Sequence, residues 1–426
     1  MRIANTAGPR VLLSHPGVPP FAQQAALAFF DAGMLERYVT TFALRSGGLL
    51  GRAVRVCRAV GIEGIERGVS RRRAGLVDDS VLATHPFPEI LRVGAGRLGP
   101  RAQDLVWERT EHWFDSMVAR HHVSSCAAVY CYEHAALSTF EAGGAIGAAR
   151  IYDQPAAHHA TASAILATEA ELHPETETPL DRRLRRLAPR RNERKDAELR
   201  HADFVIAGST FTRQSLLAAG VPGARIAVVP LGSPPRVVPR APVSNAPLVF
   251  LSAGLQSVLK GTHYLLEAWK RLRPVGAELW LVGKLLLPER LLKQLPASVI
   301  LRPPVPHGEM RAIYSRSSVL AFPSLCDGFG MVISEAMAHG LPVITTPHTA
   351  GPDLVRDGVE GFLVPIRSVD VLADRIQWCL DNREAVSIMG QRAASAAARW
   401  QWPHYRARLA SVVSEFLAGW AMAECS

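Results

Sequence analysis

The sequence has few cysteines and lacks long apolar runs, and these absences narrow the class of protein. Its 426 residues include six cysteines (57, 126, 131, 326, 379 and 425), scattered without the paired spacing of a metal site. The N-terminus lacks the apolar core of a secretory signal, and no uncharged apolar run is long enough to span a bilayer. We therefore expect a cytoplasmic protein with reduced cysteines. Peripheral association with the inner face of the membrane is an alternative.

The chain also lacks an internal repeat of solenoid length and the composition of a disordered protein. Apolar residues make up 48% and charged residues 20%, as in ordinary globular proteins. At this length two domains are the default. The formal charge of +10 is carried almost entirely by arginine, which suits phosphate or carboxylate partners. Such a balance permits nucleic acid, anionic membranes or phosphorylated substrates, and it selects none of them.

Short apolar runs alternate with helical segments in both halves of the chain. Residues 11–14 precede a proline-marked loop and a helix, and residues 248–253 open a second series of the same kind. This alternation predicts an α/β protein with two parallel-sheet domains facing each other across a cleft. We expect a first domain at 1–234, a proline-rich linker at 235–247, a second domain at 248–404 and a helix with one apolar face at 405–426.

One stretch of the second half combines a strand, a glycine-bearing loop and a helix. The apolar run 319–323 is followed by Asp-Gly-Phe-Gly at 327–330 and by a helix expected at 331–339. A helix N-terminus supplies free N–H groups and partial positive charge for phosphate. Asp327 and Glu335 can accept hydrogen bonds from sugar hydroxyls on either side. A nucleoside diphosphate sugar has this shape.

Taken together, the motifs resemble the family-four retaining glycosyltransferases of the GT-B fold, or glycosyl transferases group 1. The resemblance is strongest in the second half, while the first 120 residues match only in general layout. The motifs that carry it are Lys260-Gly261, Pro323-Ser324, Asp-Gly-Phe-Gly at 327–330, Glu335 to Gly340, Pro342-Val343 and residues 357–364. It implies two Rossmann-like domains, with the C-terminal helix crossing back to the first.

The resemblance also implies roles for individual residues. Glu335 would hold the nucleotide ribose, Asp327 the hydroxyls of the donor sugar, and Lys260 the donor diphosphate. The other donor-binding positions that it implies are Gly328, Phe329, Gly330, Met331, Val332, Gly17 and Gly254. His158 or Asp153 falls near the family's acceptor-side polar residue, and His158 joins Asp327 and Lys260 as a catalytic candidate. The expected reaction is a retaining hexosyl transfer to an acceptor hydroxyl, without a metal or a cofactor besides the donor.

Two positions depart from the family pattern. The family often has an arginine after the glycine that corresponds to Gly254, where this chain has Leu255. The first carboxylate is Asp327, which is one methylene shorter than the commoner glutamate. The first departure bears on donor activation, and the second bears on sugar preference.

Several segments leave alternatives open. Residues 182–195, with Arg182 and Lys195 at their ends, fit a solvated helix face or a contact with an anionic membrane surface. Nucleic acid is not expected as a partner, because no aromatic residue is interleaved there. The adjacent pair His158 and His159 is not expected to bind a metal, and residues 45–120 favour a surface-exposed helical insertion.

Three function classes therefore remain. The first is a transferase acting on a glycan, a lipid-linked acceptor or a small molecule. The second is a nucleotide-sugar-binding scaffold with weak or lost catalysis. The third is a basic protein of the membrane surface or of nucleic acid, whose binding would depend strongly on salt.

Overall fold

Two parallel β-sheets organise the chain in this computed structural model, which describes residues 8–42, 78–237 and 246–424. Part of the expected helical insertion (45–77) and most of the expected linker (238–245) lie outside the described residues. The central strands are buried on both faces of their sheets, and these strands appear in the sequence as short continuous apolar runs.

The first sheet has seven strands in the order β3-β2-β1-β4-β5-β6-β7, with all neighbouring strands parallel. The strands are β1 Val11–Ser14, β2 Leu35–Thr40, β3 Leu82–Thr84, β4 Ala128–Tyr132, β5 Ala149–Gln154, β6 Phe204–Ala207 and β7 Ile226–Val228. The helices of this domain are α1 Pro20–Asp31, α2 Phe87–Arg97, α3 Pro100–His121, α4 Leu137–Ala145, α5 His159–Leu172, α6 Pro179–His201 and α7 Thr210–Ala218.

The second sheet has six parallel strands in the order β10-β9-β8-β11-β12-β13. They are β8 Leu248–Ala253, β9 Ala277–Val282, β10 Val299–Arg302, β11 Val319–Phe322, β12 Val343–Thr345 and β13 Gly361–Leu363. The helices are α8 Thr262–Leu272, α9 Glu289–Leu292, α10 His307–Tyr314, α11 Met331–Ala338, α12 Gly351–Leu354, α13 Val369–Asp381, α14 Arg383–Ala397 and α15 Trp402–Glu424. The prediction of two parallel-sheet domains is confirmed.

The C-terminal helix α15 crosses back to the first domain, as the resemblance implied. The ring of Phe416 stacks on that of Phe204 with centroids 4.4 Å apart, and Arg406 forms an ion pair of 3.1 Å with Asp31. The helix begins at Trp402, three residues before the expected start, because Pro403 is tolerated in the first turn.

The expectation of a surface-exposed helical insertion at 45–120 holds only in part over its described residues: α2 and α3 are helices with exposed side chains, but the segment also contains a strand and a helix that belongs to the domain core. Residues 82–84 form β3, an edge strand that pairs with β2. The strand is only three residues long, which is too short for an alternating pattern to appear in the sequence. Helix α3 is part of the domain's own core, since Phe114 and Val118 are fully buried against the sheet.

Each sheet reverses its strand order once, between β1 and β4 in the first sheet and between β8 and β11 in the second. In open parallel sheets, ligands bind outside the carboxyl ends of the strands at such a switch point. The fold thus directs attention to the loops that follow these four strands. In the part of the chain that the structure describes, no helix is long and apolar enough to cross a membrane.

Candidate functional site

The loop between β11 and α11 leaves two helical N–H groups available for an anion. Gly330 has a φ of 76°, a left-handed conformation that favours glycine, and α11 begins directly after it. The Asp327 carboxylate accepts hydrogen bonds from the N–H groups of Gly330 (2.9 Å) and Phe329 (3.3 Å). No acceptor among the described residues reaches the N–H groups of Met331 and Val332. A helix start of this kind suits phosphate.

Lys260 brings a positive charge to the same loop. Its ammonium forms an ion pair with the second oxygen of Asp327 and lies 5.6 Å from the ring of Phe322. Both partners are partly exposed, at 24% for Lys260 and 21% for Asp327. Asp327 thus links the cation to the loop whose amides it caps. The sequence predicted both residues for the site but did not show that they would pair with each other.

Glu335 lies one turn further along α11, on the side of Met331 and Val332. It accepts a hydrogen bond of 2.7 Å from the hydroxyl of Tyr314, whose ring stacks on His339 with centroids 4.9 Å apart. Burial and the neighbouring carboxylate hold the pKa of Tyr314 well above its ordinary value, so the hydroxyl keeps its proton and donates it. Glu335 remains partly exposed. Nothing in the sequence motif had pointed to Tyr314.

The first domain contacts this loop directly at Gly328. The Gly328 carbonyl accepts hydrogen bonds from the hydroxyls of Ser209 and Thr212, the latter at 3.0 Å. A Cβ atom at Gly328 would overlap the carbonyl oxygen of Pro155, so only glycine fits between the domains here. The sequence motif predicted a donor-binding glycine, whereas the structure shows in addition a contact point between the two domains.

A second junction between the domains centres on Glu169 of α5, which is 1% exposed. Its carboxylate accepts hydrogen bonds from His263 Nε2 (3.0 Å), the Tyr264 hydroxyl (3.0 Å) and Arg367 Nε (2.6 Å), all from the second domain. Burial raises the pKa of Glu169, but hydrogen bonds from His263, Arg367 and Tyr264 outweigh it and hold the pKa below its ordinary value. We call these four residues the Glu169 cluster.

Apolar side chains from both domains surround this junction. They are Ala157, Ile165, Phe211, Tyr264, Leu325 and Cys326. Leu325 and Cys326 immediately precede Asp327, so the junction and the α11 loop are continuous in the chain. The sequence does not indicate this junction, because the partners of Glu169 lie far away along the chain.

His158 caps the start of helix α5 in the structure. Its Nδ1 accepts the N–H of Ala160 (3.2 Å) at the start of α5, and its own N–H is bonded to Ser215 Oγ (2.8 Å). Burial, followed by the neighbouring His159, lowers the pKa of His158. The fold also brings Asp196 within 2.6 Å of His159, a grouping that the linear spacing did not predict. No contact among the described side chains joins His158 to Lys260, Asp327 or Glu335.

Gly17 lies in the first domain, in the turn after β1, where its N–H is bonded to His15 Nδ1 at 2.8 Å. The turn lines a cavity of about 250 Å³ whose other walls include Trp107, Glu111 and Glu133. Burial lowers the pKa of His15 to about 4, and burial raises the pKa of Glu111 to about 8. At neutral pH the cavity therefore contains a neutral imidazole and a protonated carboxyl group.

Gly254 follows β8 at the edge of the sheet where the α11 loop lies. It is exposed, with a φ of 104°, and its N–H is bonded to the carbonyl of Val282 at 2.9 Å. The next residue, Leu255, is 49% exposed. The position where the family often has arginine is thus open to solvent in this chain.

The basic segment 182–195 lies within α6, and part of its charge is paired internally. Arg183 and Arg191 contact Asp104 of α3, at 3.3 and 2.9 Å, and Arg194 contacts Asp115 at 2.5 Å. These arginines hold α6 against α3 and are not available as a solvated or lipid-facing group. The other arginines of the segment, 182, 185, 186 and 190, remain exposed.

Comparison with known proteins identifies a family to which the second half of the chain is similar. Residues 246–382 match the family model described as glycosyl transferases group 1. The D-inositol 3-phosphate glycosyltransferase of Corynebacterium glutamicum (strain R) is 34% identical over 115 residues, which is 27% of this chain and 28% of that protein. The enzyme of the same name from Streptomyces bingchenggensis is 35% identical over 138 residues, 31% of this chain and 30% of that protein. These matches thus span less than a third of the relatives' own length.

Solved structures match nearly the whole chain at low sequence identity. Anabaena HepE, in complex with UDP and glucose, has a TM-score of 0.60 at 18% identity, covering 96% of this chain and 100% of that one. Sucrose-phosphate synthase from Thermosynechococcus elongatus has a TM-score of 0.62 at 16% identity, covering 97% and 100%. Such likeness establishes the fold. Residues 246–382 thus match the glycosyl transferases group 1 family, the two sheets form the GT-B fold, and the resemblance found in the motifs is confirmed.

Proposed function

We propose that the chain is a retaining glycosyltransferase that moves a hexose from a nucleoside diphosphate sugar to an acceptor hydroxyl. One observation carries this proposal: a cation, free amides and two carboxylates meet at the start of α11, beside the loop that contacts the first domain at Gly328. They are the Lys260–Asp327 pair, the N–H groups of Met331 and Val332, and Glu335. Positive groups at the centre and carboxylates on both sides match a diphosphate flanked by hydroxyl-bearing groups.

In the proposed complex, the helix start and Lys260 hold the diphosphate. Glu335, oriented by Tyr314, accepts hydrogen bonds from the ribose, and the remaining acceptor capacity of Asp327 is directed to the sugar. Negative charge grows on the diphosphate as the sugar leaves, so stabilising that charge is the main catalytic contribution. We propose that Lys260 and the amides supply it without a divalent metal.

The transfer itself exchanges one bond for another on the same face of the sugar. The acceptor oxygen bonds to the anomeric carbon while the bond from that carbon to the diphosphate oxygen breaks. The hydroxyl proton passes to the departing diphosphate. The anomeric configuration is retained because entry and departure share one face.

We assign the acceptor to the cavity of the first domain beside Gly17. It lies at the carboxyl ends of β1 and β4, the switch point of the first sheet. The neutral His15 and the protonated Glu111 can each take part in hydrogen bonds with hydroxyls without adding a charge. Glu133 lies in the same wall, where Lys195 contacts it at 3.1 Å.

Donor binding tests the proposal most directly. Since structural neighbours were solved with UDP, calorimetry should begin with UDP and UDP-sugars and continue with GDP and ADP counterparts, each with and without EDTA. Glu335→Ala should lose donor binding and transfer, whereas Glu384→Ala, an exposed acid on α14, should behave as the wild type. Unchanged donor binding and transfer in Glu335→Ala would refute the assignment. Nucleotide binding without turnover of any donor would favour the scaffold.

A further inference from the structure

Helices α2 and α3 expose a series of large apolar side chains outside the site described above. These are Phe87, Ile90, Leu91, Leu98, Leu105 and Trp113, which are between 43% and 81% exposed. The rings of Phe87 and Trp113 lie 6.1 Å apart, so the two helices present one surface. We call these six residues the α2–α3 surface. Large exposed apolar side chains on two helices that pack together are typical of an interaction site.

The exposed charged side chains that are described on α2 and α3 themselves are positive. Arg97, Arg109 and Arg120 are exposed. No aspartate or glutamate is exposed among residues 87–121, in which the side chains of 93, 100 and 101 are not described. The acidic residues of α3 instead contact α6: Asp104 binds Arg183 and Arg191, as described above. An apolar surface whose exposed charges are arginines suits an anionic partner.

Helix α6 extends the positive region. An open groove of about 640 Å³ is lined by Pro179, Arg182, Arg185 and Arg186. Arg190 of the same helix lies 3.5 Å from Glu108 of α3, one turn from the exposed Leu105. Arg182 and Arg185 share Glu177, whereas Arg186, like Arg97 and Arg109, has no carboxylate partner among the described residues.

The same two helices form walls of the first-domain cavity with their opposite faces. Glu89 and Arg92 of α2 and Trp107 and Glu111 of α3 line the cavity, beside the turn at Gly17. A molecule that is anchored at the α2–α3 surface therefore lies one helix away from the cavity. This placement connects the outer surface with the proposed acceptor site.

We propose that the α2–α3 surface docks on an anionic lipid bilayer, and that the acceptor is the polar headgroup of a lipid held in that bilayer. The second part rests on the proposed function. Phe87 and Trp113 enter the boundary between headgroups and acyl chains, where amphipathic aromatic rings are favoured. Arg97, Arg109 and Arg186 contact lipid phosphates. The headgroup of the acceptor lipid reaches the cavity that α2 and α3 line, while its acyl chains remain in the membrane.

Vesicle cosedimentation tests the docking surface without any transfer reaction. The full chain should bind vesicles of phosphatidylcholine with 30% phosphatidylglycerol at low salt, bind pure phosphatidylcholine far more weakly, and dissociate as NaCl increases. Each arginine near an anionic surface contributes roughly fivefold to binding, so Arg97→Ala/Arg109→Ala/Arg186→Ala should bind about 100-fold more weakly. Ile90→Ser/Leu91→Ser/Trp113→Ser should bind at least about tenfold more weakly.

A matched control uses exposed apolar residues of the second domain. Val275 is 93% and Ile388 43% exposed, and Val275→Ser/Ile388→Ser should bind vesicles as the wild type does. Circular dichroism checks that each variant is folded. Failure to bind anionic vesicles, or binding that the two triple variants do not weaken, would overturn the proposal. So would sedimentation showing that these variants disrupt a dimer, because the surface would then be an interface between copies.

The vesicle experiment and the donor-binding experiment can fail independently of each other. If the chain transfers sugar to a water-soluble acceptor and ignores vesicles, the transferase assignment stands and the docking proposal fails. If it binds vesicles but Glu335→Ala keeps full donor binding, the docking surface stands and the transferase assignment fails.

Discussion

Replacing Glu169 by glutamine tests whether the Glu169 cluster holds the two domains together. The substitution keeps the size of the side chain and removes its charge. Three donors from the second domain, on His263, Tyr264 and Arg367, then face a neutral amide in a buried site. We expect the joined arrangement of the domains to become less stable, while each domain keeps its own fold.

The contacts set the expected magnitude. A hydrogen bond to a charged group contributes about 1.5–3 kcal/mol, and Glu169 accepts three. The amide oxygen of glutamine still accepts one bond, and Arg367 is 27% exposed, so water compensates part of the loss. We expect a net loss of about 3 kcal/mol, which shifts the equilibrium between joined and separated domains by roughly 100-fold.

The same carboxylate predicts a pH dependence. Its pKa in the joined state is below the ordinary value of 4.5. The stabilisation is therefore present in full above that ordinary value and is lost as the pH falls through the lowered pKa. The wild type should separate in acid for this reason, and Glu169→Gln should lack this contribution.

Small-angle X-ray scattering measures the separation as a rise in the radius of gyration without ligand. Glu171→Gln, an exposed acid on the same helix, is the matched control and should scatter like the wild type. A folded Glu169→Gln variant with the radius of gyration of the wild type, at neutral and acidic pH alike, would refute the reasoning.

Two further substitutions test donor binding and the contact between the two domains. Tyr314→Phe removes the hydrogen bond to Glu335 and should weaken donor binding about fivefold, since a net hydrogen bond contributes about 1 kcal/mol. A dissociation constant within twofold of that of the wild type, measured by calorimetry, would contradict this expectation. Gly328→Ala places a methyl group against the Pro155 carbonyl and should destabilise the joined arrangement by about 1–3 kcal/mol, which scattering and transfer assays would both detect. If Gly328→Ala transfers sugar at the rate of the wild type with unchanged scattering, the domains do not meet at this point.

The order of elements and the α11 loop were predictable from sequence because their determinants are local. Apolar runs bounded by proline and glycine indicated β8 at 248–253, as the structure has it, and β11 at 319–323, one residue longer than the strand Val319–Phe322. The helix after Gly330 was predicted from its glycine-bearing start. The edge strand β3 was missed because three residues carry too little pattern.

The sequence by itself determined the two-sheet architecture and the composition of the donor loop, since periodicity and turn chemistry act over a few residues. Only the tertiary structure decided which partners those residues have. Glu169 and Arg367 are 198 positions apart, and Ser209 and Gly328 are 119 apart. Such pairs leave no local trace, because a carboxylate or a hydroxyl looks the same in a sequence whether or not a donor or acceptor from the other domain meets it. The same holds for α6, where the sequence showed the arginines and the fold decided which of them face α3 and which remain exposed.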